Sequence, residues 1–178
     1  MPKVLIADKM DKQAEEIFRR NGLGVDIKTG LSPDELKAII AEYDGVACRS
    51  SARITADVLT NAKKLKVIGR AGIGVDTIDV PAATAAGVVV MNTPFGNSIT
   101  TAEHAIAMMM ALARQIPQAS ASTHAGKWEK SKFMGVEIYA KTLGLIGAGN
   151  IGSIVANRAI GLGMKVIAYD PFLSVERA

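Results

Sequence analysis

The feature that most constrains this chain is an alternation. Over its first 97 residues a short β-branched run is followed by a helix-patterned segment four times, and a fifth run closes the series. The runs are residues 4–8, 24–28, 45–49, 67–70 and 88–92; the helical segments are 11–20, 33–42, 55–62 and 80–86. Strands that alternate with helices cannot pair through tight hairpins. They make a parallel sheet with helices on both faces. Pro33 behind Ser32 reads as a first-turn proline after a cap, and Gly22 and Gly87 sit where helices stop. Residues 1–97 are therefore expected to form a flavodoxin-like domain of the α/β class.

The pattern then changes. Residues 97–115 read as one long helix ended by Pro117, with Thr100 and Glu103 at capping-box spacing. Its apolar residues, among them Ile106, Met108, Met109, Met110 and Leu112, lie nearly all round, so burial on most sides is expected. An ordinary core helix, an interdomain helix and a subunit-interface helix would each satisfy that pattern. Residues 118–135 are polar, carry the single Trp128, and read as a short helix and a loop.

The last 37 residues carry the chemistry. An apolar strand, 142–146, runs straight into Gly147-Ala148-Gly149-Asn150-Ile151-Gly152, then a helix, then a second strand, 165–169, ending at Asp170. This is the context that gives a G-x-G-x-x-G stretch its meaning. Gly147 permits the tight turn, Gly149 lets backbone approach a diphosphate, and Gly152 lets the helix pack closely. The diphosphate would rest on the helix N-terminus. Asp170, 23 residues beyond Gly147, can accept from both ribose hydroxyls of adenosine, and its charge opposes a 2′-phosphate. NAD is expected over NADP. Residues 98–178 are accordingly expected to hold a linker or interface helix and the first βαβ of a Rossmann-type domain. Two strands and one helix cannot cover both faces of a parallel sheet. The chain is thus expected to be part of a longer enzyme, and to need self-association to bury Ile106–Leu112 and Leu143–Ile146.

Two arginines fall at strand ends, Arg49 after the third run and Arg70 after the fourth, and Asn97 opens the long helix near the same edge. Ligands of parallel sheets bind beyond those ends, and guanidinium groups take carboxylate and phosphate bidentately. The glycines around Arg70 leave backbone N–H groups open to an anion. A small anionic substrate follows.

Other classes find little support. The longest apolar run, 105–113, is far short of a membrane span. The net charge of +4 comes without a basic block interleaved with aromatics, so no nucleic-acid partner is expected. Gly135–Thr142 imitates a P-loop but has Ala140 for the second glycine and leads into a strand. No metal-ligand spacing occurs. A single cysteine, Cys48, fits a reducing compartment, the cytoplasm.

These residues resemble the D-isomer-specific 2-hydroxyacid dehydrogenases. The likeness is carried by Gly69-Arg70-Ala71-Gly72-Ile73-Gly74-Val75-Asp76, Asn92-Thr93-Pro94-Phe95-Gly96-Asn97-Ser98, Ala102-Glu103-His104-Ala105, Gly126-Lys127-Trp128 and the glycine fingerprint. Lys132-Phe133-Met134-Gly135 favours the phosphoglycerate branch over glyoxylate and formate relatives. The resemblance implies a hydride transfer from 3-phosphoglycerate to NAD in a homodimer or larger homo-oligomer. It implies that Arg49, Arg70, Gly72 and Asn97 line the substrate cleft, and that Ile73, Asn150, Ile151 and Asp170 touch NAD. Many members have Arg where this chain has Asn150. The family's catalytic Arg, Glu and His have no counterpart among these residues. His104, on the apolar helix, is expected to be packed or at an interface; no catalytic residue is assigned. Another 2-hydroxyacid dehydrogenase, or an NAD-sensing binding protein such as a corepressor, remain as alternatives.

Overall fold

A computed structural model describes residues 1–173 of the 178. The chain divides into two compact units, with the boundary between Gly96 and Asn97.

In the first unit five four-residue strands, β1 (Lys3–Ile6), β2 (Gly24–Ile27), β3 (Gly45–Cys48), β4 (Val67–Arg70) and β5 (Val89–Asn92), pair in parallel. Their order is β2-β1-β3-β4-β5, the flavodoxin-like order. Strand side chains alternate between faces, so Leu5, Val46, Cys48 and Ile68 meet Leu36, Ile40, Val58 and Ala83 on one side, all buried. Those partners come from α2 (Pro33–Ile39) and its 3-10 extension Ile40–Glu42, α3 (Ala56–Leu59) and α4 (Val80–Ala85). On the other side Val4, Ile6, Val25 and Ala47 meet Ala14 and Phe18 of α1 (Lys12–Arg20). This single helix leaves β5 uncovered, with Val89 and Met91 exposed.

Local chemistry sets the helix ends. Asp11 caps α1, and Thr55 and Asp79 cap α3 and α4. Ser32 and Glu35 form a reciprocal capping box on α2, ahead of Pro33. Gly22 and Gly87 have φ of 75° and 72°, the left-handed turn that ends a helix at little steric cost.

The second unit contains α5 (Ser98–Ala113), α6 (Ile116–His124), a 3-10 turn Lys130–Phe133, β6 (Thr142–Ile146), α7 (Asn150–Gly161) and β7 (Lys165–Tyr169). β6 and β7 pair in parallel with α7 as their crossover.

Two expectations for this region are corrected. The helix expected to reach residue 115 stops at Ala113; Gln115 turns left-handed (φ 54°), and Pro117 falls in the first turn of α6. A proline lacks only a donor that a first turn does not use, so it starts a helix here instead of ending one. Thr100 and Glu103 make no capping box, because Asn97 is the N-cap and gives no side-chain bond. Within the single chain only Ser98 and Ala102 of α5 are buried, while Met108 and Leu112 are exposed, as the expected need for self-association requires. The helix packs on α7, where Glu103 accepts from Arg158 at 3.0 Å, and one neighbour can cover only one side. His104 is likewise exposed.

Candidate functional site

The second unit builds its site from the turn between β6 and α7. Gly147 adopts φ 101°, closed to ordinary side chains. A Cβ on Gly152 would overlap the Gly147 carbonyl, so the helix approaches the turn as closely as backbone allows. A Cβ on Gly149 would meet nothing within 4 Å, and the space beside it is open. Gly149 is also the N-cap of α7 and provides no side-chain cap. The first-turn N–H groups of a twelve-residue helix are left facing a cavity of about 340 Å³, lined by Ala148, Gly149, Asn150, Ser153, Asp170, Phe172 and Leu173. Such an end favours an anion through its free donors and its dipole.

Asp170 lies on this cavity. Its carboxylate accepts from the N–H of Phe172 and of Ala148, each at 2.8 Å. These two bonds, Phe172 first, hold the carboxyl below the usual carboxylate range. The carboxylate is therefore an anion fixed against the glycine turn, with lone pairs left for further donors. Asn150 lines the cavity; Ile151 is half-buried and does not. Ser153, which the sequence pattern did not single out, lines it too and turns its hydroxyl back to the Gly149 carbonyl at 2.9 Å.

The first unit joins its two arginines at the C-terminal ends of β3 and β4. Cys48 and Arg70 are register partners, so Arg49 is the next residue beyond that pair. Arg49 is exposed. Arg70 is buried, and its Nε donates to the Arg49 carbonyl at 2.9 Å. Its Nη1 donates to the Gly74 carbonyl and, at 2.7 Å, to Asp76 Oδ1. Arg70 thus braces the turn that holds Gly72 and Ile73. From the other side, Asn92 donates to the Ile73 carbonyl at 2.6 Å and the Thr93 N–H to the Gly72 carbonyl at 3.0 Å. Arg70, Asn92 and Thr93 also border an otherwise apolar cavity of about 330 Å³ on the α1 side of the sheet. Asn97 belongs to the second unit, where it is exposed.

Two acids were not legible as site residues. Asp8, buried just past β1, accepts from the Arg49 N–H at 2.6 Å and the Ala52 N–H at 3.2 Å, and so shapes the Arg49 turn. Asp76 pairs with Arg70 across six residues. Asp8 falls in no local motif and is brought to Arg49 by strand order, whereas Asp76 ends the Gly69–Asp76 stretch and folds back on Arg70 within the loop after β4. Among the described residues no group of three or more metal-ligating side chains converges, and no helix is long and apolar enough to cross a membrane.

A family model, D-isomer specific 2-hydroxyacid dehydrogenase, catalytic domain, matches residues 4–170. A D-3-phosphoglycerate dehydrogenase of Archaeoglobus fulgidus is 53% identical over 176 residues, 99% of this chain and 33% of that protein. The chain therefore spans about a third of the length of the curated relatives it matches. Among solved structures, a Thermus thermophilus protein superposes with a TM-score of 0.89 at 32% identity, over 97% of this chain and 57% of that one. An NAD+-bound 3-phosphoglycerate dehydrogenase of Entamoeba histolytica gives a TM-score of 0.78 at 33% identity, over 99% of this chain and 56% of that one.

Proposed function

Because this chain belongs to the D-isomer-specific 2-hydroxyacid dehydrogenases, we propose that it supplies cofactor and substrate recognition for the NAD-dependent oxidation of 3-phosphoglycerate to 3-phosphohydroxypyruvate. The observation that carries this reading is the Asp170 carboxylate held against the Ala148 N–H beside the uncapped start of α7. The residues present fit a dinucleotide. The α7 N–H groups would hold the diphosphate, the missing Cβ of Gly149 would make room for it, and Asn150 would add a neutral amide. Asp170 would accept from the ribose hydroxyls through its unused lone pairs and would repel a 2′-phosphate. When bound there, NAD would supply the hydride acceptor for the hydroxyl-bearing carbon, whose hydroxyl proton would pass to a base not assigned in this chain.

Arg49, Arg70, the backbone of the Gly72–Ile73 turn, and Asn97 hold the anionic acid. This chain's part is to bind and orient; we assign it no proton-transferring residue. The reading includes a homo-oligomer, for which the exposed Met108 and Leu112 of α5 offer apolar surface, and a cytoplasmic location, to which the single reduced Cys48 is suited.

Calorimetric titration of the chain with NADH and NADPH tests the reading. NADH should bind more tightly, and Asp170→Ala should abolish the preference. An equal affinity for both in the parent chain, absent binding, or an unaltered preference in the variant refutes it.

A further inference from the structure

The Arg70 guanidinium is occupied in an unusual way. Nε and one direction of Nη1 are taken by backbone carbonyls, of Arg49 and Gly74. The remaining strong partner is Asp76 Oδ1, at 2.7 Å and also on Nη1, while Nη2 makes no hydrogen bond among the described residues. The pair is lopsided: the Arg70 side chain is 9% exposed and that of Asp76 is 76% exposed. Arg70 is anchored by the sheet and by two carbonyls, whereas Asp76 reaches it from solvent and can leave by side-chain rotation. Leaving does not strand the acid, because water solvates it and the cationic Arg53 acts on the same carboxylate. The backbone is shaped for the contact. A Cβ on Gly74 would come within 2.9 Å of Asp76 Oδ1 but stay 3.4 Å from Arg70 Nη1, so a methyl there presses first on the exposed carboxylate.

An exposed carboxylate on a buried, braced guanidinium occupies a position that the carboxylate or phosphate of a small anion would take. We propose that Asp76 is an internal competitor for Arg70, a positioning residue that must swing away before an anionic ligand can pair bidentately with Nη1 and Nη2, and that thereby sets the affinity for anions at this rim. The proposal rests on Arg70 belonging to the substrate cleft. A competitor of this kind discriminates. A ligand must pair with Arg70 better than a tethered carboxylate does, which favours doubly charged phosphorylated acids over simple monocarboxylates.

The test is titration of the full chain, observed at the Arg70 Nε–H resonance, with inorganic phosphate and separately with 3-phosphoglycerate. Asp76→Asn removes the competing charge and should tighten phosphate binding about two- to fivefold, the range for an exposed ion pair. Gly74→Ala leaves every charge in place and displaces the carboxylate sterically, so it should act in the same direction. Asp76→Glu should return affinity toward the parent value, a rescue that a purely structural role for Asp76 would not give. Phosphate binding that is unchanged, weakened or absent in both Asp76→Asn and Gly74→Ala overturns the proposal. The two ligands separate the ideas: tighter phosphate binding without any response to 3-phosphoglycerate upholds the competitor and removes the substrate assignment.

Discussion

Replacing Asp8 is the sharpest probe of how the arginine rim is built. Asp8 is 4% exposed, and its carboxylate holds two backbone donors, Arg49 N–H at 2.6 Å and Ala52 N–H at 3.2 Å. A hydrogen bond to a charged acceptor contributes about 1.5–3 kcal/mol, and the longer of these two belongs at the low end. Truncation lets water reach part of the exposed Arg49 turn, which offsets some of the loss. Asp8→Ala should therefore cost about 2–4 kcal/mol, a large share of the roughly 5–15 kcal/mol of an ordinary domain. Asp8→Asn keeps an acceptor and loses only the charge, so about 1 kcal/mol is expected. The only tryptophan, Trp128, lies in the second unit, so its fluorescence would follow the wrong part of the chain. Amide hydrogen exchange at Leu5, Val46 and Ile68 follows the first unit directly. Those core amides should lose protection by the amounts given, and Arg49 and Ala52 should lose it locally in both variants, more in Asp8→Ala. Unchanged protection at Arg49 and Ala52, or equal costs for the two variants, would refute the account of Asp8 as the charged brace of this turn.

Three further outcomes follow from the geometry. Gly152→Ala drives a Cβ into the Gly147 carbonyl group, a backbone obstacle; it should cost about 1–3 kcal/mol and weaken NADH binding, and a variant with parent melting and affinity would contradict the close approach. Burial raises the Cys48 thiol from 9.0 to about 11, with Asp8 adding to the rise, so a thiol reagent at pH 8 should label it only as the first unit opens; the folded state keeps its proton longer, so stability is level below pH 9, falls as pH rises from 9 toward 11, and Cys48→Ser should flatten that fall. Asp26 and Asp44 are held below 3.8, Asp26 first by Lys3 and then by Tyr43, Asp44 first by the Lys3 N–H; their contribution is complete above about pH 4 and is lost as pH falls through the depressed values, so a melting temperature level between pH 4 and pH 3 would speak against it.

Much of this was legible in the chain because it is local. The alternation of runs and helices specifies a parallel sheet, since a side-chain period of two or of 3.6 is a property of neighbouring residues. Gly147, Gly149, Gly152 and Asp170 were found because a diphosphate cradle is one continuous strand–turn–helix–strand, and spacing is its geometry. Ser32–Pro33 marked a helix start for the same reason. Where the sequence pattern misled, two local rules competed: Pro117 can close one helix or open the next, and the left-handed Gln115 decided for the second. Which element packs on α5 was not legible, because an apolar helix surface states a need and not a neighbour.

The sequence by itself determined the element types, the glycine turn and the presence of arginines at strand ends. Only the tertiary structure decided what those arginines touch. Strand order 2-1-3-4-5 lays β1 beside β3 and β3 beside β4. It thereby carries Asp8 to the Arg49 turn, 41 residues away, and Arg70 to the Arg49 carbonyl, 21 residues away. Hydrogen bonds act over about 3 Å, and separation along the chain does not report which residues come that near.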